Sequence, residues 1–258
     1  MDDQHLVIVG VGLKMYMSHK DTMEWINLVR GIAKSHPAVT AGVVELFVLP
    51  SFTAVIPSVF ALRDARVAIG AQDLFWEDRG AFTGEVSGRD LAEIGCTLVE
   101  VGHAERRRVL GESESIVSQK MLAAFRNSLT PVLCIGEPER ASAADAAAEC
   151  SRQLWSALEA SKAQGKATKL IVAYEPQWAI GAPEPASAEF IREVVGILRI
   201  EIDSDPVLRG TRVIYGGSAG PKQLEALSGA VDGLFLGRSA HDAGALKHVL
   251  DEAWHLIG

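Results

Sequence analysis

Three ionisable side chains follow short apolar runs that are far apart in the sequence. They are Lys14, His103 and Glu175. An ammonium group stabilises developing negative charge, an imidazole transfers protons near neutral pH, and a carboxylate can act as a base. If the fold brings these three groups together, they could carry out general acid–base chemistry.

Each of the three side chains also has a purely structural explanation. A single lysine is most often a solvated surface charge, and a single histidine is often a hydrogen-bonded structural group. A glutamate at the end of a strand often belongs to a surface ion pair. The case for a functional site therefore depends on whether all three lie together in the fold.

Two glycine-rich turns follow the last two apolar runs, with the sequences GGSAG at 216–220 and GRS at 237–239. The N–H groups of such turns, together with the Ser218 hydroxyl, are suited to hold a phosphate, and we favour this interpretation. The first turn also matches the G-x-S-x-G motif of serine hydrolases, with Asp232 and His241 following in the order of that class. A serine hydrolase that uses Ser218 is therefore the alternative from a different class.

Eight apolar runs alternate with amphipathic stretches along the chain. The runs are HLVIVG (5–10), VVELFVL (43–49), ARVAIGA (65–71), TLVEVG (97–102), TPVLCIG (130–136), KLIVAY (169–174), TRVIYG (211–216) and GLFLG (233–237). Continuous apolar runs are typical of parallel strands covered on both faces. Eight strand–helix units without a linker predict a single α/β catalytic domain over residues 1–258, a closed (β/α)8 TIM barrel of parallel strands. An open doubly wound sheet is the alternative.

In a closed barrel of this kind, functional groups lie where the strands end and the loops begin. Lys14, His103 and Glu175 occupy that position relative to the predicted strands, and so do both glycine-rich turns. We therefore expect all of them to lie on one rim of the barrel.

Charge and composition exclude several kinds of partner. The 258 residues carry a net charge of -8, which argues against nucleic acid or an anionic membrane as a partner. The 3 cysteines form no C-x-x-C motif, and the acidic start of the sequence is not typical of a signal peptide. A reduced, cytoplasmic protein is the expectation.

Motifs for metal ions and nucleotide cofactors are incomplete. His248 and His255 lie on one predicted helix but too far apart to share a metal ion, and there is no Cys/His cluster, so no metal site is predicted. The segment GVGLKM (10–15) lacks the third glycine of a dinucleotide-binding motif. We therefore expect no cofactor.

Seven segments strongly resemble the triosephosphate isomerase family, in the same order and through essentially the whole chain. They are GLKMY (12–16), GAFTGEVS (80–87), VGHAERRRVLGES (101–113), VLCIGE (132–137), AYEPQWAIG (173–181), YGGSAG (215–220) and DGLFLGRSA (232–240). In that family a glutamate, a histidine and a lysine move a substrate proton through an enediolate. The resemblance therefore implies a cofactor-independent isomerase of a small phosphorylated sugar.

The resemblance implies a role for each matching residue. Glu175 would be the general base, and His103 would polarise the carbonyl as the neutral histidine at a helix N-terminus that the family has. Lys14 would stabilise the negative charge, with Glu105 supporting the site. The residues expected to bind the substrate and its phosphate are Gly12, Gly181, Gly217, Ser218, Gly237 and Arg238.

The resemblance also implies functions for two loops. Residues 176–187 resemble a lid that closes over the phosphate and excludes water, with Trp178 as its anchor and prolines such as Pro183 limiting its flexibility. The segment around Phe82 and Thr83 resembles the loop that inserts into a neighbouring subunit. A homodimer is therefore expected.

Departures from the family pattern fall on substrate contacts and leave the three catalytic positions unchanged. Gly12-Leu13 stands where the family usually has Asn-Trp, Ala182-Pro183 where it has Thr-Gly, and Arg238 where it has a second glycine. Loss of the Asn side chain is expected to open room for an extra hydroxymethyl group. We therefore expect an isomerase of the aldose–ketose type that prefers a four-carbon ketose phosphate such as an erythrulose phosphate. Triosephosphate isomerase activity is the alternative.

Overall fold

Eight strands form one closed barrel in the computed structural model, which describes residues 6–182 and 185–257. The strands are β1 (Val7–Gly12), β2 (Val44–Leu49), β3 (Val67–Ala71), β4 (Leu98–Val101), β5 (Thr130–Ile135), β6 (Ile171–Tyr174), β7 (Arg212–Ala219) and β8 (Gly233–Leu236). They pair in chain order, every pair is parallel, and β8 closes on β1. The predicted TIM barrel is confirmed, and the open sheet is excluded.

Helices connect successive strands and cover the outside of the barrel. They are α1 (His19–Ser35), α2 (Pro37–Thr40), α3 (Phe52–Leu62), α4 (Gly88–Glu93), α5 (Ala104–Leu110), α6 (Glu114–Arg126), α7 (Ala143–Ala163), α8 (Ala188–Ser204), α9 (Gln223–Ala226) and α10 (Ala243–Ile257). Short 3-10 turns at Gln177–Ala179 and Arg238–His241 follow β6 and β8.

Both faces of the strands are apolar because the barrel interior and the helix layer both exclude water. The inner faces carry Ile8, Phe47, Leu98, Val132, Ile171, Ile214 and Phe235. The outer faces join the helices in a larger core. Since a shift by one residue would exchange the two faces, packing fixes the register and the direction of the residues at the strand ends.

Serine side chains cap five of the helices. The hydroxyls accept backbone N–H bonds at the starts of α1, α4, α6, α7 and α8, and they belong to Ser18, Ser87, Ser113, Ser142 and Ser187. Each such cap typically contributes about 1 kcal/mol. The caps therefore fix the points at which loops leaving the barrel turn into helices.

The strand predicted at 211–216 is longer than expected. β7 continues to Ala219, with a register shift against β8 after Tyr215. The helix that follows is the short α9, which begins at Gln223. The glycine-rich turn is therefore the irregular end of a strand, and it lies against the neighbouring loops.

The described ranges also bear on location and metal binding. Within them, no helix combines the length and the apolar character needed to cross a membrane. The thiols of Cys96, Cys134 and Cys150 are buried and free. No group of three or more potential ligands among the described residues is arranged to hold a metal ion.

Candidate active site

The carboxyl ends of the strands surround a cavity of about 360 Å³. Most residues of the predicted site line it, namely Gly12, Lys14, His103, Glu105, Glu175, Gly181, Ser218, Gly237 and Arg238. Gly217 does not line the cavity, and its carbonyl accepts a hydrogen bond from the Tyr215 hydroxyl. The barrel therefore brings together nearly every residue that the sequence suggested.

Lys14 is held at the cavity in an unusual backbone conformation. Its φ of 50° lies in the left-handed region, which a lysine adopts only where its surroundings impose it. The Lys14 ammonium donates to Glu105 Oε1 at 2.7 Å. Burial lowers the pKa of Lys14, but the hydrogen bond and charge of Glu105 outweigh burial, and the net pKa is raised. The side chain is therefore a fixed positive charge.

His103 precedes α5 and caps it, and this position selects the ring nitrogen that carries the proton. Its Nδ1 accepts a hydrogen bond from the Glu105 N–H at 3.1 Å. Burial, and then the charge of Lys14, lower the pKa of His103 to about 4. The ring is therefore neutral near pH 7, and its proton is on Nε2, on the side of Glu175.

Glu175 presents a buried carboxyl to the cavity, and the residue is only 5% exposed. Its Oε2 has no hydrogen-bond partner among the described residues and lies 3.6 Å from His103 Nε2. Burial, and then the charge of Glu100, raise the pKa of Glu175 to about 8. A carboxylate so poorly solvated is a stronger base than one in water.

Two glycines make room for Glu175. A Cβ at Gly216 would overlap Glu175 Oε1, and a Cβ at Gly136 would overlap the Glu175 carbonyl oxygen. The Glu175 N–H donates to the Ile135 carbonyl at 2.8 Å. The carboxyl end of β6 can therefore pack closely against β5 and β7 only because these positions lack side chains.

Ser218 connects the end of β7 to the lid-like loop. Its hydroxyl donates to the Ala179 carbonyl at 2.7 Å and accepts from the Gly181 N–H at 3.1 Å. The Ser218 φ of 66° is again left-handed. The hydroxyl therefore holds the loop beside the turn that was predicted to bind phosphate.

The serine hydrolase alternative does not fit this geometry. Asp232 precedes β8 at the amino end of the barrel and accepts a hydrogen bond from Arg199 at 2.8 Å. Ser218 lies at the carboxyl end, and the His241 ring stands edge-on to the Tyr16 ring, with centroids 5.5 Å apart. A catalytic triad requires contact among all three groups, so the interpretation of the motif as a nucleophile elbow is wrong.

The start of the lid-like loop is firmly anchored. Trp178 Nε1–H donates to Glu137 Oε1 at 2.7 Å, and the Arg140 guanidinium lies 4.0 Å from the centre of the Trp178 ring. The Tyr174 hydroxyl donates to the same carboxylate at 3.2 Å. The stiffening role suggested for Pro183 concerns a position outside the described residues.

Arg238 extends from the turn after β8 toward the lid-like loop. Its guanidinium carbon lies 5.8 Å from the centre of the Tyr16 ring, and a Cβ at Gly181 would lie 3.6 Å from Arg238 Nη2. All three residues line the cavity. A guanidinium at this place supplies a positive charge of fixed geometry for an anion.

The space beside Gly12 is bounded by an aromatic ring. A Cβ at position 12 would lie 3.2 Å from Phe235 Cζ, and Phe235 is on the inner face of β8. The room expected from the missing Asn side chain is therefore reduced by this ring. The wall on that side of the cavity is apolar.

Several residues that line the cavity had not been assigned to the site from the sequence, among them Glu100, Arg108 and Phe235. Glu100 and Phe235 lie inside the runs that predicted β4 and β8, and a continuous apolar run does not show which residues point inward. Counting back in steps of two from the last residues of β4 and β8, Val101 and Leu236, selects the opposite face of each strand, so this period alone would not have found either residue. Arg108, on α5, belongs to a run of three arginines that favours an ion-pair network over a substrate contact.

A cavity at the carboxyl end of a closed parallel barrel, lined by an acid, an imidazole and an ammonium group, defines a TIM-barrel enzyme. The family model for triosephosphate isomerase matches residues 7–253. The chain therefore belongs to the triosephosphate isomerase family, a family of sugar-phosphate isomerases.

Individual relatives agree with this assignment. The chain is 48% identical over 248 residues to the L-erythrulose-1-phosphate isomerase of Pectobacterium atrosepticum, covering 96% of both chains. It is 37% identical over 249 residues to the triosephosphate isomerase of Moorella thermoacetica, covering 95% of this chain and 97% of the relative. The crystal structure of triosephosphate isomerase from Bartonella henselae matches with a TM-score of 0.80 at 25% identity, covering 96% of this chain and 99% of the other.

Proposed function

We propose that this protein isomerises a four-carbon ketose phosphate, of the kind named by its relative, L-erythrulose 1-phosphate, without a cofactor. The observation that carries the proposal is the grouping of Lys14, His103 and Glu175 on one cavity that also includes Gly12. The identity of 48% with L-erythrulose-1-phosphate isomerase supports the choice of substrate.

The proposed reaction moves one carbon-bound proton to the neighbouring carbon through an enediolate, with matching proton transfers between the two oxygens. Glu175 Oε2 takes the proton from the carbon next to the carbonyl, the electrons of that C–H bond form a carbon–carbon double bond, and the carbonyl π electrons move onto the oxygen. His103 donates its Nε2–H to that oxygen, and the Lys14 ammonium stabilises the negative charge. His103 takes up the hydroxyl proton of the neighbouring oxygen, and Glu175 returns its proton to the former carbonyl carbon. The carbonyl has then moved by one carbon.

The phosphate end of the substrate is proposed to lie in the turns after β7 and β8. The groups assigned to it are the backbone N–H groups near Gly181, Gly217 and Gly237, the Ser218 hydroxyl and the Arg238 guanidinium. Closure of the lid-like loop over this end would exclude water and protect the enediolate.

The length of the substrate determines the class of product. A ketose of four carbons with a 1-phosphate has its carbonyl on the second carbon, and it loses the proton of the third. The carbonyl moves to that third carbon, so the product is another ketose, with its phosphate at position 4 when numbered from the other end. The expected aldose–ketose type of reaction therefore applies to a triose phosphate, whereas a tetrulose 1-phosphate gives a second tetrulose phosphate.

Proton NMR in D2O tests this proposal directly. With purified protein and L-erythrulose 1-phosphate, we expect the 4-phosphate ketose to appear, with deuterium on the carbon that carried the carbonyl in the substrate. We expect kcat/KM for this substrate to exceed that for glyceraldehyde 3-phosphate by about tenfold or more, because a matched pocket discriminates this much per added carbon. A higher kcat/KM on glyceraldehyde 3-phosphate would contradict the choice of a four-carbon substrate.

Triosephosphate isomerase activity is the second candidate. It is favoured by the three unchanged catalytic positions and by the identity of 37% with the Moorella thermoacetica enzyme. The variant Gly12→Asn separates the candidates, because an amide at position 12 reduces the room beside Phe235. If the four-carbon proposal is correct, this variant shifts preference toward the triose.

We also propose that the protein is a homodimer formed through the loop of Phe82 and Thr83. Phe82 packs on Phe75, with ring centroids 4.6 Å apart, yet it stays 42% exposed. Met15 and Tyr16, beside the cavity, are 92% and 57% exposed. Large exposed apolar side chains of this kind are typical of interfaces. Sedimentation equilibrium should give a dimer, and Thr83→Arg should weaken it and reduce turnover.

We propose the cytoplasm as the location. The buried free thiols of Cys96, Cys134 and Cys150 suit a reducing compartment. Cell fractionation with an antibody against the protein should recover it in the soluble fraction, and recovery with the membranes would contradict this location.

A further inference from the structure

Glu100 places a carboxyl group at the floor of the cavity, inside the barrel. It lies in β4, two residues after Leu98, whose side chain belongs to the apolar cluster inside the barrel. Residues two apart on a strand share a face, so Glu100 also points inward. It is 7% exposed, and it lines the cavity.

The Glu100 carboxyl has a weak partner for so buried a group. Among the described residues it accepts one hydrogen bond, from the Cys134 thiol, with a distance of 3.6 Å between Sγ and Oε1. A thiol is a poor donor, and an apolar side chain would avoid the cost of removing a carboxyl from water. The group is therefore short of a hydrogen-bond partner from the protein.

The charges around Glu100 do not satisfy it. Burial raises the pKa of Glu100 to about 7, the positive charge of Lys14 acts against this rise, and the negative charges of Glu105 and Asp73 add to it. The Lys14 ammonium bonds to Glu105 instead. Within 6–182 and 185–257, Glu100 joins no ion pair.

We infer that Glu100 binds the hydroxyl group at the end of the substrate that is remote from the phosphate, and that it thereby selects a four-carbon over a three-carbon sugar phosphate. The inference rests on the proposed isomerase function. Gly181, Ser218 and Gly237 place the phosphate on the side of β6 to β8. Glu100 lies across the cavity on β4, beneath His103.

The same geometry explains why a triose would not use this carboxyl. A triose phosphate ends at the carbons that react between His103 and Glu175, whereas a tetrulose carries a further hydroxymethyl group. Gly12 and Phe235 give that group an apolar wall, and Glu100 gives its hydroxyl a hydrogen-bond partner. A site built to bond a hydroxyl discriminates strongly against a substrate that lacks it, because the buried polar group is then left unpaired.

A different role for Glu100 predicts a different result. Its negative charge also raises the pKa of Glu175. If this were its function, removing the carboxyl would change turnover of every substrate by the same factor. Substrate dependence therefore distinguishes binding of a hydroxyl from adjustment of the base.

The experiment compares Glu100→Leu and Glu100→Gln with the unmodified protein on L-erythrulose 1-phosphate and on glyceraldehyde 3-phosphate. We expect Glu100→Leu to lose on the order of a hundredfold in kcat/KM on the four-carbon substrate. On the triose we expect a change within about threefold. Glu100→Gln, whose amide can also bond a hydroxyl, should lose less than about tenfold on the four-carbon substrate.

Glu45 supplies the matched control. It lies in β2, two residues before the inward-facing Phe47, but at the exposed amino end of the barrel. Glu45→Leu and Glu45→Gln should leave the ratio of the two kcat/KM values unchanged. Equal losses on both substrates in Glu100→Leu, or the same ratio change in Glu45→Leu, would overturn the inference.

Binding to a variant that does not turn over separates this inference from the proposed function. In a Glu175→Gln background, Glu100→Leu should weaken the binding of both ligands to different extents. Calorimetry should show that the Kd for L-erythrulose 1-phosphate rises at least about tenfold more than the Kd for dihydroxyacetone phosphate. This difference can be measured even if the unmodified protein isomerises neither sugar, a result that would reject the proposed function. Equal weakening of binding for both ligands would reject the inference.

Thermal unfolding should show that Glu100→Leu is folded and at least as stable as the unmodified protein, since an unpaired buried carboxyl has been removed.

Discussion

Two carboxylates at opposite ends of the barrel differ in their hydrogen bonding. At the amino end, Asp232 accepts a hydrogen bond from Arg199 at 2.8 Å and another from the Val213 N–H at 2.6 Å. At the carboxyl end, Glu175 Oε2 has no partner among the described residues, and Lys14 has a left-handed backbone. The carboxylate at the amino end is therefore paired, and the one at the carboxyl end is left available.

This difference shows where a group is kept available for catalysis at a cost in folding stability. Paired charges and relaxed backbone stabilise a fold, whereas unpaired buried groups and strained residues persist only where the rest of the structure imposes them. Mutations at the amino end are therefore expected to change mainly the free energy of unfolding. Mutations at the carboxyl end are expected to change mainly the rate of turnover.

The largest effect is expected at the unpaired carboxylate. Glu175→Gln keeps the shape but removes the base, so kcat should fall on the order of a thousandfold or more. Glu175→Asp moves the carboxylate away from the substrate and should cost about a hundredfold. Stopped-flow or NMR assays measure both. A kcat within about tenfold of the unmodified value in Glu175→Gln would contradict the assignment of the base.

The next effect is expected at Ser218, whose hydroxyl bonds two backbone groups of the lid-like loop. Ser218→Ala removes both hydrogen bonds, and kcat/KM should fall about tenfold to a hundredfold because the loop is held less well over the phosphate. The matched control is Ser51→Ala, since the Ser51 hydroxyl makes no capping bond to α3. Equal activities of the two variants would show that the Ser218 contact does not matter for turnover.

A smaller effect is expected from pH. The base must be ionised, and the pKa of Glu175 in the free protein is about 8. Below this value kcat/KM should fall by about tenfold per pH unit, and it should level off above it. His103 stays neutral throughout because its pKa is about 4. A profile that is flat between pH 6 and 8 would contradict a buried, protonated Glu175.

The same group links stability to pH with a definite sign. Between the ordinary glutamate pKa of 4.5, which applies to the unfolded chain, and the folded pKa of about 8, the folded protein holds a proton on Glu175 that the unfolded chain does not. Stability therefore falls as pH rises through this window and levels off above it. Urea unfolding of Glu175→Gln should show a weaker fall across the same window than the unmodified protein.

The smallest effect on turnover is expected at the amino end. Asp232→Asn weakens the bonds from Arg199 and the Val213 N–H and should lower the free energy of unfolding by about 1 to 3 kcal/mol. Activity of the folded protein should change by less than about twofold. Urea unfolding and steady-state kinetics measure the two quantities. A large loss of kcat with unchanged stability would contradict the contrast between the two ends.

Strand positions were predictable from the sequence, but the direction of individual strand residues was not. Each of the eight apolar runs overlaps a strand, because both faces of each strand must be apolar in a closed barrel, but β1 and β7 continue past their runs to Gly12 and Ala219. The same continuity hides direction, since no alternation marks the inner face. Glu45 and Glu100 both interrupt apolar runs, yet Glu45 is exposed and Glu100 lines the cavity.

The rim residues were predictable because of their position in the chain. Lys14, His103 and Glu175 follow strands, and parallel strands deliver their carboxyl ends to one side. The G-x-S-x-G match was misleading because a short motif does not show where Asp232 lies along its strand. The restriction of the space at Gly12 by Phe235 depends on side-chain packing between two strands, which no local pattern contains.

Glu105 contacts His103 through its backbone and Lys14 through its side chain, so substitutions at position 105 affect the two residues differently. Its backbone N–H fixes the proton of His103 on the cavity side, and its carboxylate separately holds Lys14. Every amino acid except proline provides the same N–H, so drift at position 105 can release the lysine but leaves the imidazole tautomer unchanged. The His103 tautomer is therefore robust to point mutation at position 105. The position of the Lys14 ammonium group depends on the Glu105 side chain and can change readily during evolution.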